Sequence, residues 1–286
     1  MLVSIIGGAG RMGSWFAKYF LNRGYDVAIF DVRADRAEHV ARSIGARVYR
    51  SSVEAAGEAD ILLIATPIDV TPKVICEVAR WMRRNSILIE ISSLKSKVMP
   101  VLRDVSKMDI RALSIHPLFG SGAQGMAGEK IALIPVNDPA SEEELARRVF
   151  PEANIITVDL DTHDRVMALT LSLTHFVNII FASIVGEEDV RLLKHLGGTT
   201  FSLQLIVSEA VMSEDPSLYA SIQMTNEHTV GYIDKFLSFA LELRDIIESR
   251  DVEGFIHFYR KVLEAISKDE DFGAAYGRMY RALKAI

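Results

Sequence analysis

Two polar side chains able to move protons stand at the ends of neighbouring apolar runs in this 286-residue chain. His116 follows the run IRALSI within SIHPLFG, and Pro117 restricts it to an extended backbone, so its direction is fixed. An imidazole that titrates near neutral pH at such a point is a candidate general base. Ser93, after the run SILIEI, is expected to hydrogen-bond either the imidazole or a substrate. A structural histidine bonded to the backbone is the alternative that the local sequence leaves open.

A glycine-rich turn follows the first apolar run, LVSII, and precedes the helical segment SWFAKYFLNRG. A GxGxxG pattern between a first strand and a first helix is typical of a dinucleotide-binding fold. We expect Gly8 to permit the tight turn, Gly10 to let a pyrophosphate approach, and Gly13 to let the helix pack on the sheet. The free N–H groups at the start of the helix would bind the phosphates. The cofactor contacts predicted here are Gly8, Ala9, Gly10, Arg11, Met12 and Gly13.

An acidic residue, Asp31, ends the second apolar run, DVAIF. Its distance from the glycines is close to the spacing of about 20 residues expected for an acid that binds the ribose hydroxyls of NAD. Arg33 could accept a 2′-phosphate, so NADP is not excluded. Further cofactor contacts are expected where the next parallel strands end, at Thr66, Pro67 and Ser92.

The elements that must position these residues form two blocks. Up to residue 157, short runs rich in Val and Ile alternate with amphipathic segments, which favours strands buried on both faces of a mostly parallel sheet. After that point the pattern is helical to the C-terminus. We therefore predict an α/β chain with a Rossmann-type, doubly wound sheet over residues 1–157 and an all-helical, dimerising, substrate-binding domain over residues 158–286.

Composition excludes several kinds of partner. A formal net charge of −6 and a pI of about 5.7 argue against nucleic acid. The single cysteine, Cys76, and the lack of a signal-peptide pattern at the N-terminus favour the cytoplasm. The apolar stretch 168–186 contains His175 and Asn178, so we predict a buried helix and no membrane span. No metal site is predicted.

The helical half carries its own polar pattern. Ser172, His175 and Asn178 recur every three residues in an apolar segment and so form one polar stripe, which needs partners if it is buried. These groups could bind a substrate, or only one another and water. The segment 222–247 carries apolar side chains on more than one face, which predicts assembly with a second copy.

The combination of GGAGRMG, ISSLK, SIHPLFG, THDRVMALTLSLTHF and DPSLYASIQM resembles the prephenate dehydrogenases of tyrosine biosynthesis, over nearly the whole chain. The resemblance implies oxidative decarboxylation of prephenate, with hydride transfer to NAD, and a homodimer through the helices. It implies that His116 is the catalytic histidine, supported by Ser93, and that His175 binds substrate. With the polar stripe and the residues after Phe119, the predicted substrate contacts are Gly120, Ser121, Ser172, His175 and His228.

The chain departs from this family in one respect. The arginine expected to bind a substrate carboxylate is absent, because no arginine lies between Arg191 and Arg244. His228, Lys194 or a cation from a partner subunit could take its place. Three alternatives therefore stay open: arogenate as substrate, a β-hydroxyacid dehydrogenase, or a regulator that binds NAD(H) without turnover.

Overall fold

The computed structural model describes residues 1–285, so Ile286, the last residue of the predicted helical domain, lies outside the described residues. The chain divides into two compact units. The first comprises residues 1–167 together with 224–226, and the second comprises residues 168–223 and those from 227 onward. The division therefore falls ten residues after the predicted boundary at 157, because the helix after the last strand packs with the first unit.

The first unit alternates strands and helices. Its strands are β1 (Leu2–Ile6), β2 (Asp26–Phe30), β3 (Arg47–Val48), β4 (Ile61–Ile64), β5 (Ile87–Glu90), β6 (Arg111–Pro117), β7 (Lys130–Leu133) and β8 (Asn154–Thr157). Its helices are α1 (Arg11–Asn22), α2 (Ala34–Ile44), α3 (Ser52–Glu58), α4 (Thr71–Val78), α5 (Met99–Val105), α6 (Pro139–Val149) and α7 (Leu160–Met167).

One eight-stranded sheet runs through this unit in the order β3-β2-β1-β4-β5-β6-β7-β8. All neighbouring pairs are parallel except β6 and β7, which are antiparallel. The strand order reverses between β1 and β4, and ligands of such sheets bind beyond the carboxyl ends of the strands at that point. The predicted doubly wound, mostly parallel sheet is confirmed.

The inner strands are largely apolar because helices cover both faces of the sheet. In β4, Ile61 and Leu63 belong to the core on one face, while Leu62 and Ile64 belong to the core on the other. All four are buried. The alternating direction of side chains along a strand thus supplies two cores from one apolar run.

The second unit is helical in every described residue that has regular structure. It begins with a π-helical turn, Ala168–Leu173, that joins α7 directly to the next helix. Its α-helices are α8 (Thr174–Val185), α9 (Val190–Leu196), α10 (Thr199–Met212), α11 (Pro216–Thr225), α12 (Thr229–Glu248), α13 (Val252–Ile266) and α14 (Ala275–Lys284).

The apolar helix predicted to be buried is largely exposed on the single chain. The continuous helix Leu160–Val185 is long and apolar enough to cross a membrane, but only 22% of its most apolar stretch is buried. Leu169, Ile180 and Ile184 are all exposed. The prediction of a buried helix is therefore wrong for an isolated chain, because the helices around it cover only part of its surface.

Candidate active site

The glycine turn between β1 and α1 has no room for side chains. A Cβ on Gly13 would lie 2.2 Å from the carbonyl oxygen of Gly7, and one on Gly8 would lie 2.5 Å from the Cβ of Ile29. Gly7 has φ +81°, so the tight turn depends on Gly7 and not on Gly8 as predicted. Gly8 instead permits close packing of the turn on β2.

Helix α1 begins at Arg11 with Gly10 as its N-cap, and no side chain caps it. The first N–H groups of a helix lack partners within the helix, and its positive dipole end attracts anions. A glycine cradle that ends in an uncapped helix is the arrangement that binds a pyrophosphate. The residues present therefore fit NAD, whose pyrophosphate would be held by the turn from Gly7 to Gly13.

Asp31 and Arg33, both predicted to contact the cofactor, bind one another. The Arg33 guanidinium donates from Nε to Asp31 Oδ1 at 3.0 Å and from a terminal nitrogen to Oδ2 at 3.3 Å. The backbone N–H of Ala9 also donates to Oδ2, at 3.2 Å. Burial alone would raise the pKa of Asp31, but Arg33 and the N–H of Ala9 bring it below its ordinary value. The carboxylate is thus ionised, and Arg33 competes with a ribose for it.

This pairing predicts that Arg33 decides how well the chain accepts NADP. In Arg33→Ala the guanidinium that would meet a 2′-phosphate is lost, and the Asp31 charge would repel that phosphate. We expect NADP binding to weaken about tenfold, with NAD binding unchanged or tighter. Calorimetric titration with each dinucleotide measures both affinities, and Arg42→Ala on α2, the helix that follows Arg33, is the control. A variant that binds NADP as well as wild type does, or a wild type that does not bind it, would contradict the prediction.

A relay of three buried side chains lies at the end of β6. His116 Nδ1 lies 3.1 Å from His163 Nε2, and His163 Nδ1 lies 2.8 Å from Asp164 Oδ1. His163 and Asp164 are neighbours on α7, and all three side chains are buried. Strand β7 passes opposite, with the small Ala132 paired to His116. His116 was predicted from the sequence as a site residue, whereas His163 and Asp164 were not.

The relay fixes which nitrogen of His116 can accept a proton. The Asp164 carboxylate can only accept, so Nδ1 of His163 carries a proton, and a neutral His163 ring then presents the lone pair of Nε2. His116 must then donate from Nδ1, which leaves the lone pair on its own Nε2. Nε2 of His116 makes no hydrogen bond to any described residue, and it is not one of the atoms that are completely buried without a hydrogen-bond partner. It is therefore the ring atom that remains available as a hydrogen-bond acceptor.

Electrostatics keep this histidine neutral. Burial, then the charge of Lys95 and the neighbouring His163, lower the pKa of His116 well below its ordinary value of 6.5. Burial would raise the pKa of Asp164, but the hydrogen bonds from His163 and from the N–H groups of Lys95 and Ser96 bring it below the ordinary value. At neutral pH the relay thus holds a carboxylate and a neutral base.

Ser93 does not join this relay. The hydrogen-bonding partner of the His116 ring within residues 1–285 is His163, whereas Ser93 is half-buried in the loop after β5. The other residues predicted to contact the cofactor, Thr66, Pro67 and Ser92, lie in the loops after β4 and β5. Thr66 follows β4 and its hydroxyl lies 2.8 Å from that of Thr71, while Ser92 is buried with a hydroxyl that has no described partner. Gly120 and Ser121 lie in the loop between β6 and β7.

The polar stripe of the second unit is only partly satisfied. Asn178 Oδ1 accepts from Gln204 at 2.9 Å and from Ser208 at 2.8 Å. The hydroxyl of Ser172 and Nδ1 of His175, in contrast, are sealed from solvent and have no partner among the described residues. Burial lowers the pKa of His175, so its ring is neutral.

Helix α11 faces these two groups with residues that the sequence analysis missed. The ring of Tyr219 meets that of His175 edge to face, with centroids 4.4 Å apart. Gln223 donates from Nε2 to the carbonyl oxygen of Ser172 at 2.7 Å, and its Oε1 is sealed without a described partner. Tyr219 and Gln223 are one helical turn apart, so spacing on α11 could have indicated a shared face.

The two residues proposed to replace the arginine already have carboxylate neighbours. Lys194 lies 2.6 Å from Glu209, and His228 Nε2 lies 4.0 Å from Glu227. His228 directly precedes α12 and is partly buried. Among the described residues no group of three or more histidine, cysteine or acidic side chains is arranged to hold a metal ion.

The sheet and the glycine cradle together define a protein of the class that binds a nicotinamide dinucleotide. Residues 16–134 match the nucleotide-binding domain of prephenate dehydrogenase, and residues 159–261 match its dimerization domain. The chain belongs to the prephenate dehydrogenase family.

Individual relatives agree with this assignment. A protein named as a probable arogenate/prephenate dehydrogenase, from Methanocaldococcus jannaschii, is 27% identical over 96% of this chain and 63% of its own length. A T-protein from Haemophilus influenzae is 26% identical over 91% of this chain and 66% of its own length. The chain thus spans slightly less than two thirds of both relatives. Prephenate dehydrogenase from Aquifex aeolicus, solved with hydroxyphenyl propionate and NAD+, has the same fold, with a TM-score of 0.76, 18% identity and coverage of 94% and 98% of the two chains.

Proposed function

We propose that this chain catalyses the NAD-dependent oxidative decarboxylation of prephenate to 4-hydroxyphenylpyruvate. Arogenate is the second candidate substrate, because the relative from Methanocaldococcus jannaschii carries both names. The observation that carries the proposal is the relay that leaves Nε2 of His116 as a buried, neutral acceptor. Family membership argues against the β-hydroxyacid and sensor alternatives.

The reaction requires a base to remove the hydroxyl proton while hydride leaves the ring carbon that bears this hydroxyl. NAD would supply the hydride acceptor, C4 of the nicotinamide. His116 accepts the hydroxyl proton through Nε2 as the ring carbonyl develops. The carbon–carbon bond to the ring carboxylate then breaks, CO2 leaves, and the electron pair makes the ring aromatic. The proton on His116 returns to the phenolic oxygen, so His116 ends the reaction as it began.

The other predicted contacts have supporting roles in this proposal. Ser93 would orient the substrate hydroxyl, since its own hydrogen bond is not committed to His116. His175 and Ser172 would bind polar groups of the substrate, because they belong to the polar stripe of an otherwise apolar helix. His228, Gly120 and Ser121 complete the proposed substrate contacts.

We also propose that the chain is a cytoplasmic homodimer that assembles through its helical unit. The exposed apolar side chains of α12 and α13, among them Phe239, Phe255 and Tyr259, support this assembly. The matching family domain is itself described as a dimerization domain. A monomer in sedimentation at micromolar concentration would contradict the dimer.

Initial rates of NAD reduction with prephenate and with arogenate, in parallel, test the function. We expect turnover with prephenate, and a faster rate with arogenate would move the assignment to the second candidate. NAD binding with no turnover of either substrate would overturn the proposal. A calorimetric titration with NAD alone is the control that the protein is folded and competent to bind.

A further inference from the structure

A buried ion pair lies directly behind the relay and has no part in the reaction as proposed above. The side chains of Lys95 and Glu90 are both fully buried, and Lys95 Nζ lies 2.6 Å from Glu90 Oε1. Lys95 Nζ also donates to the carbonyl oxygen of Ile115 at 2.7 Å. Ile115 directly precedes His116, so the ammonium group holds the backbone from which the catalytic ring projects.

Glu90 is saturated with hydrogen bonds. Its Oε1 also accepts from the hydroxyl of Ser114 at 2.5 Å, and its Oε2 accepts from the N–H of Ser92 at 2.8 Å. Both carboxylate oxygens therefore accept hydrogen bonds, and the Lys95 ammonium is the cation that pairs with them. The pair therefore connects β5 with β6 at the point where the active-site strands end.

Lys95 also contacts the far end of the relay through its backbone. Its N–H donates to Asp164 Oδ1 at 3.1 Å, and the N–H of Ser96 donates to Asp164 Oδ2 at 2.9 Å. One residue thus holds the strand that carries His116 and the carboxylate that orders His163. The ammonium group makes the first contact and the backbone N–H makes the second.

We propose that Lys95 is a positioning residue that, anchored by Glu90, fixes the orientation of His116 toward His163 and holds a positive charge behind the base. This inference rests on the proposed role of His116 as the base. Two buried charges are expensive to desolvate, and replacing such a pair with apolar side chains often leaves stability unchanged or improves it. Stability alone therefore gives little reason for a buried ion pair here. The need to keep His116 neutral and correctly oriented gives a better one.

The positive charge of Lys95 favours the neutral form of His116, the form that the hydrogen bonds orient. The ionisable groups around His116 are Lys95 in the loop after β5, Glu90 on β5, and His163 and Asp164 on α7. The positive charge of Lys95 disfavours the imidazolium and lowers the pKa of His116, in addition to burial. Neutral His116, the form that accepts a proton, is thus retained into acidic pH.

The test removes both charges together, so that no buried charge is left unpaired. In Glu90→Gln/Lys95→Met we expect kcat to fall at least about tenfold, because the strand that carries the base loses its anchor. We expect the acid limb of the kcat/KM profile to move up by about one pH unit, because neutral His116 is lost at higher pH. NAD affinity should equal that of wild type.

Two further variants separate this role from a purely structural one. Glu90→Leu/Lys95→Met is the second form of the test if the first fails to fold. Glu142→Gln is the matched control, since Glu142 is a buried carboxylate that accepts N–H groups of Val136 and Asn137 away from the relay. It is expected to lower stability without moving the pH profile. A wild-type kcat and acid limb in a folded double variant, or an equal shift in Glu142→Gln, would overturn the proposal.

An NMR titration of His116 distinguishes failure of this inference from failure of the proposed function. Histidine-labelled protein with NAD bound reports the midpoint of His116 without any turnover. A higher midpoint in the double variant supports the role of Lys95 even if His116→Asn proves fully active and the proposed base is wrong. An unchanged midpoint, with His116→Asn inactive, overturns the role of Lys95 alone.

Discussion

Replacing His116 with asparagine is expected to lower kcat by at least about a hundredfold. The asparagine amide can still donate to His163 Nε2, so the buried contact at 3.1 Å can be kept. It cannot take up the hydroxyl proton, because an amide is not basic. During hydride transfer the oxygen of the forming carbonyl would then keep its proton, because no base accepts it. NAD affinity should not change, since the glycine cradle and Asp31 are untouched.

Steady-state rates of NAD reduction at saturating prephenate measure this effect, with NAD affinity determined separately by calorimetry. His39→Asn, which removes an exposed histidine of the same unit, is the control and should keep the wild-type rate. An unchanged kcat in His116→Asn would remove His116 from the proposed mechanism. A large loss of NAD affinity would show that the residue serves the cofactor instead.

Asp164→Asn is expected to lower kcat by about a hundredfold without removing any group that could touch the substrate. The single amide oxygen would remain with the N–H groups of Lys95 and Ser96, which both donate to Asp164 now. The amide nitrogen would then donate to His163 Nδ1 and move the His163 proton to Nε2. His116 would have to accept at Nδ1 and carry its proton on Nε2, so no lone pair would face the substrate.

The readout is kcat together with the nitrogen chemical shifts of His116, which report the protonated ring nitrogen. Asp161→Asn is the matched control, because it lies on the same helix and is exposed. We expect the control to resemble wild type in both measurements. Either an unchanged kcat or a His116 that keeps its proton on Nδ1 in Asp164→Asn would contradict the relay.

The dinucleotide half could be predicted because its signals are local. A strand, three spaced glycines and a helix follow one another in sequence, and Asp31 ends the next apolar run. Local signals also have limits. The doublet Gly7-Gly8 does not say which glycine takes the positive φ, and β3 was missed because its two residues are exposed and form no apolar run.

The relay could not be derived from spacing. His116 was found because a proline follows it at a strand end, but His163 lies 47 residues later on a helix that returns to the same sheet edge. Periodicity predicts that such a helix exists and not which strand it reaches. Lys95 was part of a recognised motif, yet its burial depends on Glu90, the one charged residue of the run SILIEI, and nothing in the spacing pairs the two side chains.

The burial of the long apolar helix was mispredicted for a related reason. An apolar segment must be covered, but its sequence does not say whether the covering side chains come from the same chain. Leu169, Ile180 and Ile184 stay exposed here, as do many apolar side chains of α12 and α13. The same composition predicted assembly with a second copy, which stays a prediction, and burial within one chain, which is wrong.

The sealed polar atoms of the helical unit have a consequence for how this protein can evolve. A buried donor or acceptor without a partner destabilises a folded chain by about 1–3 kcal/mol, and Ser172, His175 and Gln223 each contain such an atom. Apolar side chains at these positions would make the empty protein more resistant to heat. A lineage under selection for thermal resistance alone would replace these polar residues. Their retention in a lineage would therefore indicate selection for binding a ligand in the helical unit.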